Sequence, residues 1–171
     1  MEKARDRIAE IVGIPSRHSI VFTSGATEAA SMILHSHPFK CALIEHDCVK
    51  VWAEHYLEVS ESGLVLVNDP GSSSLQMANS ETGIIQKLPK NLGFCDMTQA
   101  FGKIPTSFSW TGAKMACASA HKLGGPKGVG CLLLAEGQPL IPQIQGGGQE
   151  MARRAGTEKI VGIAGYGAAA E

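Results

Sequence analysis

Hydrophobic positions in this chain switch between two periods, and the switches mark its elements. In residues 2–12, Ala4, Ile8, Ile11 and Val12 fall on one helical stripe, which Gly13 and Pro15 end. Residues 19–23 (SIVFT) form a short β-prone run. Gly25 follows, and then a helix-like stretch from Ala26 to His37. Residues 41–44 predict a strand, and a helix is expected from about Asp47 to Leu57. Further strands are expected at residues 64–67, 75–79, 93–96, 114–119 and 129–134, with a loop at 68–74 (NDPGSSS). The tail from about Glu158 is mostly helix formers interrupted by glycines. Strands alternating with helices predict an α/β fold, a mainly parallel sheet with helices on both faces. In such sheets ligands sit beyond the carboxyl ends of the strands, and the polar residues singled out below fall near such ends.

Composition narrows the function classes. The chain has 171 residues, 44% hydrophobic and 18% charged, which suits one globular domain with a real core. Its net charge is −1 and it has no long basic run, so a nucleic-acid partner is not expected. No apolar run approaches the roughly 20 residues of a membrane span. The first six residues carry both charge signs with no apolar run behind them, unlike a secretory signal. Five cysteines without a CxxC pair support neither a disulfide framework nor a zinc site, and a reducing, cytoplasmic setting is expected.

Several positions carry chemistry under one reading and simple structure under another. Ser24, Gly25, Ala26 and Thr27 lie where a strand meets a helix, a setting for a phosphate or for an ordinary helix cap. Asp96 follows a short strand; it could cap a helix or hold a protonated ring nitrogen. Gln99, one turn on, could reach the same ligand or face solvent. His46 follows an apolar run and could stack on a flat ring, move a proton, or be a partly buried polar residue. His121-Lys122 precede a glycine-rich turn. A lysine there is expected to be partly desolvated and so nucleophilic; the alternative is a surface lysine with a buried stem. Residues 146–150 (GGGQE) and 153–157 (RRAGT) read as a glycine-rich basic loop or an anion site.

The runs SAHKLGGPKGVG (119–130), GGGQE, RRAGT, FTSGATE (22–28) and DMTQAFGKIP (96–105) together resemble the class V aminotransferase superfamily. Within it they are most similar to the NifS/IscS-like cysteine desulfurases, over residues 20–171. The resemblance implies a fold-type-I enzyme that holds pyridoxal 5′-phosphate. Lys122 matches the Schiff-base lysine, Asp96 the partner of the pyridinium nitrogen, and Gln99 the partner of the phenolic oxygen. His46 matches the histidine stacked on the ring. Ala26, Thr27, Ser119 and His121 match the phosphate cup, and Asn79 a cofactor-side asparagine. Thr157 matches a threonine reaching the neighbouring subunit's phosphate, which implies a homodimer. The implied reaction converts L-cysteine to L-alanine and passes sulfur to an acceptor such as an iron–sulfur scaffold protein.

The chain also departs from that pattern. Ser80 stands where the family has a second asparagine, and the segment between Gln86 and Asp96 is short. None of the five cysteines lies in a stretch like the family's sulfur-accepting loop. Residues 1–171 are therefore expected to be the large, cofactor-binding domain, partial, without the C-terminal small domain. Two other readings stay open: a cofactor-binding piece without turnover, and another class V enzyme such as an aminotransferase or selenocysteine lyase.

Overall fold

The computed structural model describes residues 1–36 and 39–171. Helix α1 (Glu2–Ile11) leads into β1 (Ile20–Thr23) and α2 (Ala26–Leu34). Next come β2 (Cys41–Ala42), a helical turn α3 (Asp47–Lys50), β3 (Tyr56–Leu57), β4 (Ser74–Gln76) and β5 (Phe94–Asp96). The short helix α4 (Phe108–Thr111), β6 (Met115–Ser119), β7 (Gly130–Leu134), a turn α5 (Gln149–Ala152) and helix α6 (Ile160–Ala169) complete the order.

The main sheet runs β1-β7-β6-β5-β4. β4, β5 and β6 pair in parallel, and β7 is antiparallel to both β6 and β1. Four of the five strands thus point the same way, as the strand–helix alternation predicts, with β7 as the reversed strand. β2 and β3 form a separate parallel pair, tied to the β4 edge by the bridge Lys40↔Ser73.

Strand parity sorts the core, because successive side chains point to opposite faces. Ile20, Phe22, Leu75, Cys95, Ala116, Ala118, Cys131 and Leu133 pack toward α1 and α6. Val21, Phe94, Met115, Cys117, Leu132 and Leu134 pack toward α2 and α3. Both faces are covered, so β6 and β7 are buried at every residue and read as unbroken apolar runs. By the same parity Thr23, Gln76, Asp96 and Ser119 fall on the α2 face, at the last residue of each strand.

β1 is an edge strand whose free backbone groups need partners. The buried Glu150 carboxylate accepts from Phe22 N at 2.9 Å, and Arg5 donates to Ile20 O at 2.9 Å. Arg5 and Glu150 are joined by two bonds, of 2.9 and 2.7 Å. Arg153 adds bonds to His18 O and Ile20 O. This clamp holds α5 in a left-handed turn, with Glu150, Met151 and Ala152 at φ of 49°, 59° and 60°.

Two elements differ from expectation. The helix expected from Asp47 to about Leu57 stops after one turn at Lys50, because Tyr56 and Leu57 are drawn into pairing with β2. Val49, Val51 and Trp52 are also weak helix formers. Residues 64–67 form no strand: Val65 makes one bridge to Val59, and Leu66 is exposed. The His37 end expected for the second helix lies outside the described residues.

Candidate functional site

A cavity of about 430 Å³ opens at the carboxyl ends of β4, β5 and β6. It gathers Ala26, Thr27, His46, Asp96, Gln99, Ser119, His121 and Lys122, which lie up to 96 positions apart in sequence. Asn79 and Thr157 are not among its lining residues. Asn79 ties the backbone together instead: its amide donates to Ile44 O and its oxygen accepts from Glu81 N and Thr82 N. Thr157 lines a second cavity with Arg154 and Lys159.

One wall is the N-terminus of α2. A helix start leaves its first N–H groups without intrahelical partners. Here the N-cap is Gly25, which brings no side chain to satisfy them. Thr23 Oγ1 donates to Gly25 O, and Glu28 accepts from Ser24 N, so neither supplies the missing acceptor. The plain capping arrangement therefore does not hold. β7 passes directly beneath this turn. A Cβ on Gly130 would lie 2.6 Å from Ala118 O and 2.7 Å from Gly25 Cα, so glycine is needed to bring the α2 start down to the strand ends. Ser119 reaches the same place, and its hydroxyl shares a 2.9 Å hydrogen bond with His121 Nδ1. Partial burial, then the charges of Lys122, Lys127 and Lys103, hold His121 below its usual pKa.

The floor is Asp96, buried at 2% exposure. Its Oδ1 accepts from Thr98 N at 2.8 Å and faces the Cys117 thiol at 3.6 Å, and its Oδ2 receives Gln76 Nε2 at 3.4 Å. Gln99 lines the mouth, with its Oε1 taking a bond from Lys103 Nζ, so its amide N–H groups remain as donors. His46 caps α3 through Nδ1, which accepts from Cys48 N at 3.1 Å. The neutral ring then carries its proton on Nε2. Lys122 sits at the open side and is exposed. The desolvation expected for it is not supplied by the residues around it, because the turn that carries it faces the cavity mouth.

This end of the sheet is assembled by a sequence family as well as by geometry. The aminotransferase class-V family matches residues 1–56 and 49–171. The chain belongs to that family. A cysteine desulfurase of Enterobacter agglomerans is 36% identical over 205 residues, an alignment that covers 100% of this chain and 51% of the relative. A solved NifS-like protein superposes with a TM-score of 0.89 at 31% identity, over 99% of this chain and 56% of that one. A NifS-like protein from Rickettsia africae gives 0.87 at 30% identity, over 99% and 56%. The chain thus spans about half the length of the relatives it matches.

Among the lining residues that sequence reasoning did not single out are Cys48, Gln76 and Thr98. Cys48 and Thr98 each lie two residues beyond a residue already singled out, so an i+2 look from His46 and Asp96 would have found them. Gln76 gives no signal on its own; cross-strand register with Asp96 brings it in. Burial, then the Asp96 charge, pushes the Cys48 thiol up to about 12, which a bond with Thr27 only partly offsets. The other four cysteines are free and buried as well.

Proposed function

We propose that the cavity holds pyridoxal 5′-phosphate and serves a cysteine desulfurase. The convergence of Lys122, Asp96 and the uncapped start of α2 on one cavity carries this reading. The residues fit the group at both ends. The N–H groups of Ala26 and Thr27, with Ser119 and His121, suit a phosphate dianion. The buried Asp96 carboxylate suits a protonated ring nitrogen at the far end. Lys122 Nζ is the amine that would link to the cofactor.

When bound, the cofactor supplies an electron sink that weakens bonds at the substrate's α- and β-carbons. Asp96, aimed by Thr98, Cys117 and Gln76, would hold the ring nitrogen's proton. Gln99 would donate to the phenolic oxygen. His46 would cover the ring face, and its Nε2 could hand on a proton. Lys122 Nζ would move the substrate α-proton. In the net reaction, L-cysteine and a thiol give L-alanine and a persulfide. The Cβ–Sγ bond breaks, and an S–S bond forms on the accepting thiol.

Supporting observations reach the wider reading. The relatives that match over the whole chain are named cysteine desulfurases, which favours this activity over another class V reaction. Residues 1–171 are then the large, cofactor-binding domain. The place of Thr157 in a second cavity beside Arg154 suits contact with a neighbouring subunit, hence a homodimer. An iron–sulfur scaffold protein is the proposed sulfur acceptor. Five unpaired thiols suit a reducing cytoplasm, and no helix among the described residues is long and apolar enough to cross a membrane.

A second reading, cofactor binding without turnover, is favoured by Cys48. It lines the cavity, yet burial, then the Asp96 charge, pushes its thiol up, which disfavours the thiolate that accepting sulfur needs. Incubation with pyridoxal phosphate, L-cysteine and excess dithiol separates the two. Alanine release supports the desulfurase. An L-cysteine-dependent change in absorbance without alanine supports the second reading. No response to L-cysteine contradicts both.

A further inference from the structure

Behind Asp96, the Gln76 contact continues into buried polar groups that the proposed chemistry leaves unexplained, Glu45 above all. Gln76, Asp96 and Cys117 stand directly opposite one another across three parallel strands. The Gln76 amide is 1% exposed and spent on both sides. Its Nε2 donates to Asp96 Oδ2 at 3.4 Å, and its Oε1 accepts from Ser80 N at 3.0 Å and Ser80 Oγ at 3.3 Å. Its backbone N–H donates to Glu45 Oε1 at 2.8 Å. Lys40 exchanges backbone bonds with Ser72 and Ser74, but the chain then turns away from β4. Glu45 takes the next acceptor place with its side chain. Glu45 is 0% exposed, and its Oε2 has no hydrogen-bond partner. It also precedes His46 in the loop that Asn79 fastens through Ile44 O.

We propose that Glu45 and Gln76 are positioning residues, a buried brace that aims the Asp96 carboxylate and locks the His46 loop against it. The proposal rests on reading the cavity as a cofactor site only for its purpose; the brace itself belongs to the ligand-free chain. A buried carboxyl with one orphaned oxygen is costly when charged and tolerable when protonated. The groups facing Glu45 keep it so. Asp96 on β5 is its charged neighbour, and burial, then Asp96, push Glu45 up to about 8. Burial pushes the Cys41 and Cys48 thiols to about 12 and Cys95 well above its usual value, so they add no charge near neutral pH. A proton kept on Glu45 thus spares the Asp96 site a second buried charge beside it.

Carboxyl 13C NMR of the ligand-free chain over a pH series tests the brace. Glu45 is expected to titrate near 8, and Asp96→Asn to lower that midpoint. Gln76→Leu and Glu45→Leu are each expected to shift the Asp96 carboxyl resonance at a fixed pH, and Glu45→Gln, which still accepts from Gln76 N, to leave it in place. An Asp96 resonance unmoved by both leucine variants overturns the proposal. If those variants fail to fold, Asp96→Asn decides: a Glu45 midpoint that falls supports the brace, and an unchanged one overturns it. None of these signals depends on cofactor. A chain that shows the coupling but binds no pyridoxal phosphate loses the function and keeps the brace.

Discussion

Two polar clusters sit on the same sheet, one along its β1 edge and one at the carboxyl ends of β4, β5 and β6, and they are built differently. At the β1 edge, Arg5, Glu150 and Arg153 are consumed by one another and by backbone groups of His18, Ile20 and Phe22. At the β4–β6 ends, Asp96 is gripped from behind, while the α2 start and Lys122 face an open cavity. A cluster whose hydrogen bonds are all internal serves the fold. A cluster that leaves donors and a carboxylate aimed into space can serve a ligand. The basic loop at 146–157 reads as a possible anion site in sequence, but its Glu150 and Arg153 are spent on the β1 edge.

The comparison predicts opposite responses to mutation. Glu150→Ala strips the acceptor from a guanidinium whose side chain is 4% exposed. Breaking a buried pair in this way costs on the order of 3–5 kcal/mol, and thermal unfolding should show it as the largest loss in this set. Asn79→Ala removes three bonds to backbone groups and frees the His46 loop. The expected cost is about 1–3 kcal/mol, read in the same melt.

pH separates Glu28, which lines the cavity, from Glu45 behind it. The carboxylate of Glu28 is held below its usual value, because bonds from Arg154 and Ser24 outweigh burial. Its contribution is present above the ordinary carboxylate pKa and is lost as pH falls through its lowered value. Glu45 acts in the opposite sense. Its folded pKa is raised, so its contribution is full below the ordinary carboxylate value and fades as pH climbs toward 8. Denaturant melts across pH should therefore show a decline between the ordinary carboxylate range and about 8 that Glu45→Gln removes, and an acid decline that Glu28→Gln removes.

Much of this was legible in the sequence. The buried strands β6 and β7 announce themselves as apolar runs, and β1 with α2 as a change of period at Gly25. The cavity residues Thr27, His46, Asp96, Gln99 and Lys122 were found because motif order constrains them together. What was hidden depends on tertiary pairing. Tyr56 and Leu57 leave a helical pattern because β2 needs a partner, and the reversal of β7 has no signature within its own five residues. Gln76 and Glu45 escape notice because nothing in a sequence of separate runs places them beside Asp96.

Lys122 sharpens the contrast most, since it is exposed. Lys122→Ala should change stability by no more than about 0.5 kcal/mol. The direct test of the account is the absorbance spectrum of the chain with added pyridoxal phosphate, recorded beside that variant. A band near the visible edge that needs Lys122, in two equally stable proteins, is the predicted result. The same spectrum from both proteins would contradict a cofactor site at the ends of β4, β5 and β6.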